Sequence, residues 1–307
     1  MKKNLLFLTA ASIFTLSACG QKELIKAPTI PVTDMDEYAG ADSYGGSGDN
    51  TESMFYRHPD FYNLTSTESL TIISKFETMQ QTTEWSCGPA SALMVLNQFN
   101  DTSLTESDIA VAMTASTDED VENAQPGSAN NYHEYGTNVT EIYNFFNNLE
   151  GYEVVESSYD PNRSTDDIMT SDHPLATPST VGNYPATFSS SSLYASENSD
   201  TTEAWVEDAK DSYFVKWLTS HLKAGRPIMV EWADWDGHWV SIIGYENNNT
   251  PSIADDTLIF ADPYDTSDHW QDGYTTAPLE SFFYMWKDRN VAPQPYQLQP
   301  YVIVDKK

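Results

Sequence analysis

Four residues that stand far apart in this chain have the types and surroundings that nucleophilic catalysis requires: a cysteine, a histidine, an aspartate and a glutamine. Cys87 lies where a polar loop gives way to an apolar-periodic run that starts at Ala92. Gly88 permits a tight turn, and Pro89 suits a first helical turn because no N–H is needed there. A thiol at a helix N-terminus lies in the positive end of the helix dipole, which favours the thiolate. Cys87 is therefore the candidate nucleophile; the alternative is a small, inert, buried side chain.

A cysteine nucleophile also needs a base and a group that orients the base. His238 opens the apolar run 239–245, whose pattern predicts a strand that would hold the imidazole rigidly. Asp262 ends the next predicted strand, so an antiparallel neighbour could fix the tautomer of His238. Taken singly, each residue has a plainer interpretation, a structural histidine and a turn-forming Asp-Pro. Asp265 and Asp268 are rival carboxylates.

The oxyanion that forms during acyl transfer needs hydrogen-bond donors. Gln81 lies six residues before Cys87 (87 − 81), and its side-chain N–H is the candidate donor beside the backbone N–H of Cys87. Gln80 is adjacent, so the assignment depends on the spacing. The alternative is a solvated loop glutamine.

Together these motifs resemble the papain-like cysteine peptidases, and more closely the bacteriocin-processing (double-glycine leader) peptidases and their relatives. The resemblance covers most of residues 75–265 and implies a papain-like fold. It also implies the oxyanion, nucleophile, base and orienting roles for Gln81, Cys87, His238 and Asp262. It is carried by Gln81-(five residues)-Cys87-Gly88-Pro89-Ala90, Gly237-His238-Trp239-Val240 and Ala261-Asp262-Pro263, with support from Tyr135-Gly136-Thr137 and Gly225-Arg226-Pro227-Ile228.

The first residues predict export. Lys2 and Lys3 precede the apolar run 5–16, which is too short for an ordinary membrane span, so residues 1–18 are predicted to be a signal peptide. The run ends in Leu-Ser-Ala-Cys, which resembles a bacterial lipobox and implies lipidation of Cys19. The resemblance implies a lipid-anchored, extracytoplasmic protein of a bacterial membrane. The alternative is a plain secretory signal in which Cys19 is incidental.

Residues 19–55 are rich in Gly, Pro, Ser and Asp and poor in large apolar residues, which predicts a disordered tether. Residues 56–307 fall within the size range of a single domain, the predicted peptidase domain. A Ser-, Thr- and Asp-rich segment at about 157–202 is predicted to be a long, partly disordered insertion or flap.

The order of predicted elements indicates an α+β fold, a helical part followed by an antiparallel sheet. Helices are predicted from Gly88 to about Phe99, from about Ser103 to Met113, after a cap at Thr137, from about Asp211 to Leu222 and from Leu279 to Trp286. Strands are predicted at Tyr152–Val155, Pro227–Trp232, His238–Tyr245, Leu258–Ala261 and Tyr301–Val304.

Composition excludes several classes of protein. The chain has 46 acidic and 15 basic residues, a formal charge of −31, and loss of Lys2 and Lys3 would give 13 − 46 = −33. Such a charge argues against nucleic acid and against electrostatic binding to anionic lipid. It would suit a cationic substrate, although solubility in a saline exterior is the plainer explanation. Two cysteines give no disulfide framework.

No metal or cofactor motif is present, and the clusters at 118–122 and 234–236 are interpreted as solvated carboxylates. The sequence therefore predicts a cysteine peptidase that acts on a peptide or protein through a thioester acyl-enzyme, without a cofactor. The alternatives are a cysteine acyltransferase or transpeptidase, and an inactive peptidase-like surface binding protein. Four tryptophans would either line an apolar groove or belong to the core: Trp85, Trp232, Trp235 and Trp239.

Overall fold

The computed structural model describes residues 25–26 of the predicted tether and the greater part of the predicted peptidase domain, namely residues 59–83, 85–113, 115, 136–161, 187–232, 237–265, 272–286 and 298–307. The predictions for the signal peptide, Cys19, Asp268, Trp235 and the two acidic clusters lie outside these residues. Within the described ranges, no helix is long and apolar enough to cross a membrane.

Helices and an antiparallel sheet make up the described domain, which confirms the predicted α+β class. The helices are α1 (Cys87–Gln98), α2 (Glu106–Met113), α3 (Val139–Asn148), α4 (Tyr213–Lys223) and α5 (Leu279–Met285). Every residue of α1 from Cys87 to Leu96 is buried, so this helix runs through the centre of the domain. It therefore lacks the polar face of a surface helix.

The cap of α3 differs from the sequence prediction. Asn138, not Thr137, caps the helix, because its side chain accepts hydrogen bonds from the N–H groups of Thr140 and Glu141. The Glu141 carboxylate accepts in return from the N–H of Asn138, which completes a capping box. Thr137 is thereby left one residue outside the helix, where it packs against α1.

The strands, in chain order, are β1 (Ile25–Lys26), β2 (Leu70–Ile72), β3 (Met79–Gln80), β4 (Tyr152–Ser157), β5 (Ile228–Trp232), β6 (His238–Glu246), β7 (Thr257–Ala261), β8 (Tyr274–Pro278) and β9 (Tyr301–Lys306). In the described residues seven of them form one sheet in the order β4-β9-β5-β6-β7-β8, with β2 paired to β6. All pairings within this sheet are antiparallel.

Strand β6 is the strand around which the candidate site is built. On one edge β5 pairs with its first half and β2 with its second half, and on the other edge β7 pairs with residues 241–246. Its first residue, His238, lies opposite Trp232, and Ser241 lies opposite Ala261. This register carries the chain that follows β7 back toward the start of β6.

Residues 187–211 belong to the packed domain, although they overlap the segment predicted to be a polar insertion. Phe188, Leu193 and Ala195 are buried. The ring of Phe188 lies 4.6 Å from that of Trp217 and 5.0 Å from that of Phe214. Apolar residues spaced among the serines therefore anchor this stretch in the core. Residues 162–186 of the same segment lie outside the described part.

A short strand also lies within the predicted tether. Ile25 and Lys26 pair in parallel with Met79 and Gln80. The pairing places this piece of the N-terminal segment beside the strand that leads directly into Gln81.

Candidate active site

Cys87 is the first residue of α1, the position that the sequence predicted for a nucleophile. Its neighbour Ser86 is the N-cap residue but makes no side-chain cap. Instead its hydroxyl accepts hydrogen bonds from the N–H of Thr83 at 3.3 Å and from the hydroxyl of Thr83 at 2.8 Å. The thiol is 7% exposed and is not part of a disulfide. These bonds within the loop between Thr83 and Ser86 fix the direction in which α1 starts.

Gly88 permits a close contact between α1 and the segment before α3. A Cβ atom on Gly88 would lie only 2.7 Å from the Cβ of Thr137. The indole N–H of Trp239 donates to the carbonyl of Thr137 at 2.6 Å, and the hydroxyl of Ser91 donates to the carbonyl of Trp239 at 2.9 Å. Helix α1 is therefore held against β6 at the residue that follows His238.

His238 and Asp262 are in direct contact. The Nε2 atom of His238 lies 2.6 Å from Oδ1 of Asp262, and both side chains are almost fully buried. The same oxygen accepts from the N–H of Tyr264 at 2.8 Å. The ring of Tyr264 lies edge-on to the imidazole, 6.3 Å between centroids. Because Nε2 is engaged, Nδ1 is the ring nitrogen left to face the thiol.

The electrostatics of His238 follow from these neighbours. Burial by itself would lower the pKa of His238. The Asp262 carboxylate and then the Cys87 thiol outweigh burial and hold the pKa well above the ordinary value of 6.5. The imidazolium form is therefore favoured, as a thiolate–imidazolium pair requires.

The glycine before His238 has a conformational role. Gly237 has φ of 118°, a backbone conformation that residues with a side chain rarely adopt. Gly237 therefore allows the chain to enter β6 in a conformation that would strain a residue with a side chain.

Gln81 lies in the loop between β3 and α1 and is 4% exposed, so it is not a solvated glutamine. Its backbone N–H donates to the carbonyl of Pro263 at 2.9 Å, which ties the loop to the residue after Asp262. Its side-chain Nε2 donates to the carbonyl of Thr83 at 2.6 Å. An amide NH₂ carries two hydrogens, so one donor remains for an oxyanion.

The other candidates of the sequence lie elsewhere. The Asp265 carboxylate accepts from the N–H of Gly273 at 3.0 Å, while Asp262 takes the contact with His238. Trp85 and Trp239 are buried, and Trp232 stacks on Phe260 with centroids 5.5 Å apart. Trp239 therefore belongs to the main core, Trp232 is partly buried against it, and Trp85 packs in a smaller buried cluster with Ala110 and Ala115. In the described part of the chain, no group of three or more His, Cys, Asp or Glu side chains could hold a metal ion.

Sequence analysis did not single out Glu106, which the structure places against the loop between β3 and α1. Its side chain is fully buried, and Oε1 accepts from both the N–H and the hydroxyl of Thr82 at 3.2 Å. At the sequence level Glu106 is an ordinary acid in the first turn of a helix. Only the contact across 24 residues distinguishes it.

This fold and this arrangement of side chains define a papain-like cysteine peptidase scaffold. Comparison with protein families gives the same class: residues 73–290 match the Peptidase C39-like family. The chain belongs to that family, as its resemblance to the bacteriocin-processing peptidases predicted. No curated protein and no solved structure matches the chain significantly.

Proposed function

We propose that this protein is a cysteine peptidase that hydrolyses peptide bonds through Cys87, His238 and Asp262. The observation that carries the proposal is the 2.6 Å contact between His238 and Asp262, with the interacting Cys87 thiol at the start of α1. A thiol, an imidazole and a buried carboxylate in series provide the nucleophile, the proton carrier and the group that orients it.

In the proposed reaction the Cys87 thiolate attacks the peptide carbonyl carbon. The carbonyl oxygen becomes an oxyanion that accepts hydrogen bonds from the Cys87 N–H and the remaining Nε2–H of Gln81. As the intermediate collapses, His238 gives its proton to the leaving amine and a thioester remains on Cys87. Water then attacks the thioester, His238 takes one of its protons, and the acid product leaves with the thiolate restored.

The proposal also includes the N-terminus. We infer that Cys19 is lipidated and that the peptidase domain acts outside the cytoplasm at a bacterial membrane. The support is the basic start, the short apolar run and the Leu-Ser-Ala-Cys sequence. Fatty-acid labelling of the expressed chain is expected to be lost in Cys19→Ser, and labelling that persists in this variant would contradict the assignment.

Thiol reactivity tests the catalytic proposal without knowledge of the substrate. In the full chain carrying Cys19→Ser, Cys87 is the only thiol left of the two. Alkylation by iodoacetamide is expected to stay fast below about pH 8 and to slow strongly in His238→Ala. Slow alkylation that does not depend on His238 would instead favour an inactive binding protein.

The reaction itself is tested by mass spectrometry on peptide mixtures, with and without an added amine acceptor. We expect hydrolysis products that disappear in Cys87→Ser. Products joined to the acceptor would instead identify an acyltransferase.

A further inference from the structure

The loop between β3 and α1 carries the candidate oxyanion donor at one end and the candidate nucleophile at the other. Its internal hydrogen bonds run from Gln81 to Thr83 and from Thr83 to Ser86. Its first residue is tied to Pro263. Thr82, between these bonds, turns its N–H and hydroxyl away from the loop and toward α2.

Both donors of Thr82 meet Oε1 of Glu106, at 3.2 Å each. Glu106 is the first residue of α2, and it follows Thr105, whose N–H and hydroxyl bond to Asp108 in the first turn. The backbone that carries the carboxylate is therefore ordered by the first turn of α2. The loop is attached to this helix through the two hydrogen bonds from Thr82 to Glu106.

Burying a carboxylate away from water destabilises the folded state unless neighbouring groups donate hydrogen bonds to it. Burial raises the pKa of Glu106 to about 7, although hydrogen bonds from Ser86 and Thr82 work in the opposite direction. Ser86 directly precedes Cys87, and Thr82 directly follows Gln81. Glu106 is thus hydrogen-bonded to the residue that follows Gln81, and it lies close enough to the residue before Cys87 for Ser86 to influence its pKa.

We propose that Glu106 is a positioning residue that holds the loop 81–86 so that Gln81 and the Cys87 N–H converge on the oxyanion. This inference rests on the proposed function of Cys87. Glu106 acts on the loop through its two hydrogen bonds with Thr82. An ionised carboxylate accepts stronger hydrogen bonds than a neutral one, so the loop is held best when Glu106 is ionised.

Other titratable groups on the elements around Glu106 are accounted for in the described part of the chain. Asp108 bonds to Thr105 at the exposed start of α2, and Glu141 caps α3. On α1 the facing titratable group is Cys87 itself. The causes that set the pKa of Glu106 are burial, Ser86 and Thr82, with none of these other groups among them.

The test separates reactions of Cys87 that need an oxyanion hole from those that do not. With 4-nitrophenyl acetate the thiolate attacks the acetyl carbonyl, an oxyanion forms, 4-nitrophenolate leaves and an acetyl thioester remains. With iodoacetamide the thiolate displaces iodide and no oxyanion forms. The ratio of the two rates in the full chain carrying Cys19→Ser therefore reports the oxyanion hole, independently of how reactive the thiol is.

We expect Glu106→Gln to lower the ratio of acylation to alkylation about tenfold or more. In the chain with Glu106 intact, the ratio is expected to rise between about pH 6 and pH 8, and Glu106→Gln removes this rise. The matched control is Glu156→Gln. Oε1 of Glu156 also accepts two hydrogen bonds, from Trp217 and Tyr301, but it lies on β4 at the far end of the sheet. Its variant is expected to leave the ratio unchanged.

A ratio in Glu106→Gln within about twofold of the parent would overturn the proposal. If that variant does not fold, Thr82→Val removes the hydroxyl half of the contact and decides the matter: a lowered ratio supports the positioning role and an unchanged ratio refutes it. Failure of the proposed function gives a different result, because Cys87 would then alkylate slowly in the parent protein as well.

Discussion

The contact of His238 with Asp262 joins the two residues whose chemical roles depend most on each other. Asp262 raises the pKa of His238 against the effect of burial. It also engages Nε2, which leaves Nδ1 as the ring nitrogen available to the thiol. The charge of the carboxylate, and not only its shape, is therefore expected to matter.

Asp262→Asn tests this charge. The asparagine Oδ1 can still accept from the N–H of Tyr264, so the fold should persist. Without the negative charge the pKa of His238 falls, and peptide turnover is expected to drop about a hundredfold or more. Alkylation of Cys87 measured against pH, together with peptide cleavage, checks the change.

The matched control for Asp262 is Asp265→Asn, which alters a buried carboxylate that bonds to Gly273. In this variant we expect Cys87 to be alkylated, and peptide to be cleaved, at the parent rate. Equal losses in both variants would mean that the loop, and not the charge beside His238, is responsible.

Gln81→Ala tests the oxyanion donor. Loss of one such donor is expected to slow acylation of Cys87 by 4-nitrophenyl acetate about 10²–10³-fold. Alkylation by iodoacetamide should change little. Gln80→Ala is the neighbouring control, since Gln80 is also buried but lies within β3. Slower acylation in Gln80→Ala than in Gln81→Ala would reverse the assignment.

At the scale of elements, the site depends on how closely α1 approaches its neighbours. The helix meets β6 through Ser91 and Trp239, and it meets the start of α3 through Gly88 and Thr137. Cys87 and His238 belong to different elements, so their separation is set by these two contacts.

Gly88→Ala is expected to destabilise the fold by about 1–3 kcal/mol, because the new Cβ would overlap Thr137. Thr137→Gly removes the atoms that it meets. The double variant should therefore lose about 1 kcal/mol less free energy of unfolding than the sum of the losses in the two single variants. Urea denaturation of the parent, both single variants and the double variant measures the cycle. Additive losses would show that the contact does not limit the approach of α1.

At the scale of the whole molecule, the acidic charge and the buried acids act together. Burial raises the pKa of Glu106 to about 7 and that of Asp256 to about 6. A raised carboxyl pKa means that the folded state holds its proton longer than the unfolded state, so stability falls as pH rises through this range. The formal charge of −31 adds repulsion in the same direction.

We therefore expect the free energy of unfolding to fall as pH rises from about 5 to 8, and to recover partly with added salt. For Glu106, the rise of the pKa from 4.5 to about 7 corresponds to about 3 kcal/mol. Urea denaturation at fixed salt across this pH range is the measurement.

Two variants assign this pH dependence. In Glu106→Gln the free energy of unfolding is expected to fall less steeply between about pH 5 and pH 8, because the side chain that titrates in this range is gone. Asp108→Asn, on the same helix, is expected to leave the slope unchanged, because the pKa of Asp108 is lowered by its bonds with Thr105 and its stabilisation is lost only at more acidic pH. A slope that is the same in both variants would exclude Glu106 as its source.

The amino-acid sequence alone predicted the class of fold, a helix that begins at Gly88 and a strand that begins at His238. It could do so because these features are local: a glycine and a proline at a helix start, and apolar runs bounded by turns. The structure matches most of these elements to within a few residues. The same local patterns predicted the residues that the chain would have to bring together.

Which of these residues come into contact becomes visible only in the folded chain. Asp262, and not Asp265, contacts His238 because the pairing of β6 with β7 returns the chain to that point. Asn138, and not Thr137, caps α3 because the helix begins at Val139 and the Asn138 side chain meets the N–H groups of Thr140 and Glu141. Glu106 gains its contact from a loop 24 residues away. Such contacts depend on register and on packing across distant segments, and no spacing along the chain encodes them.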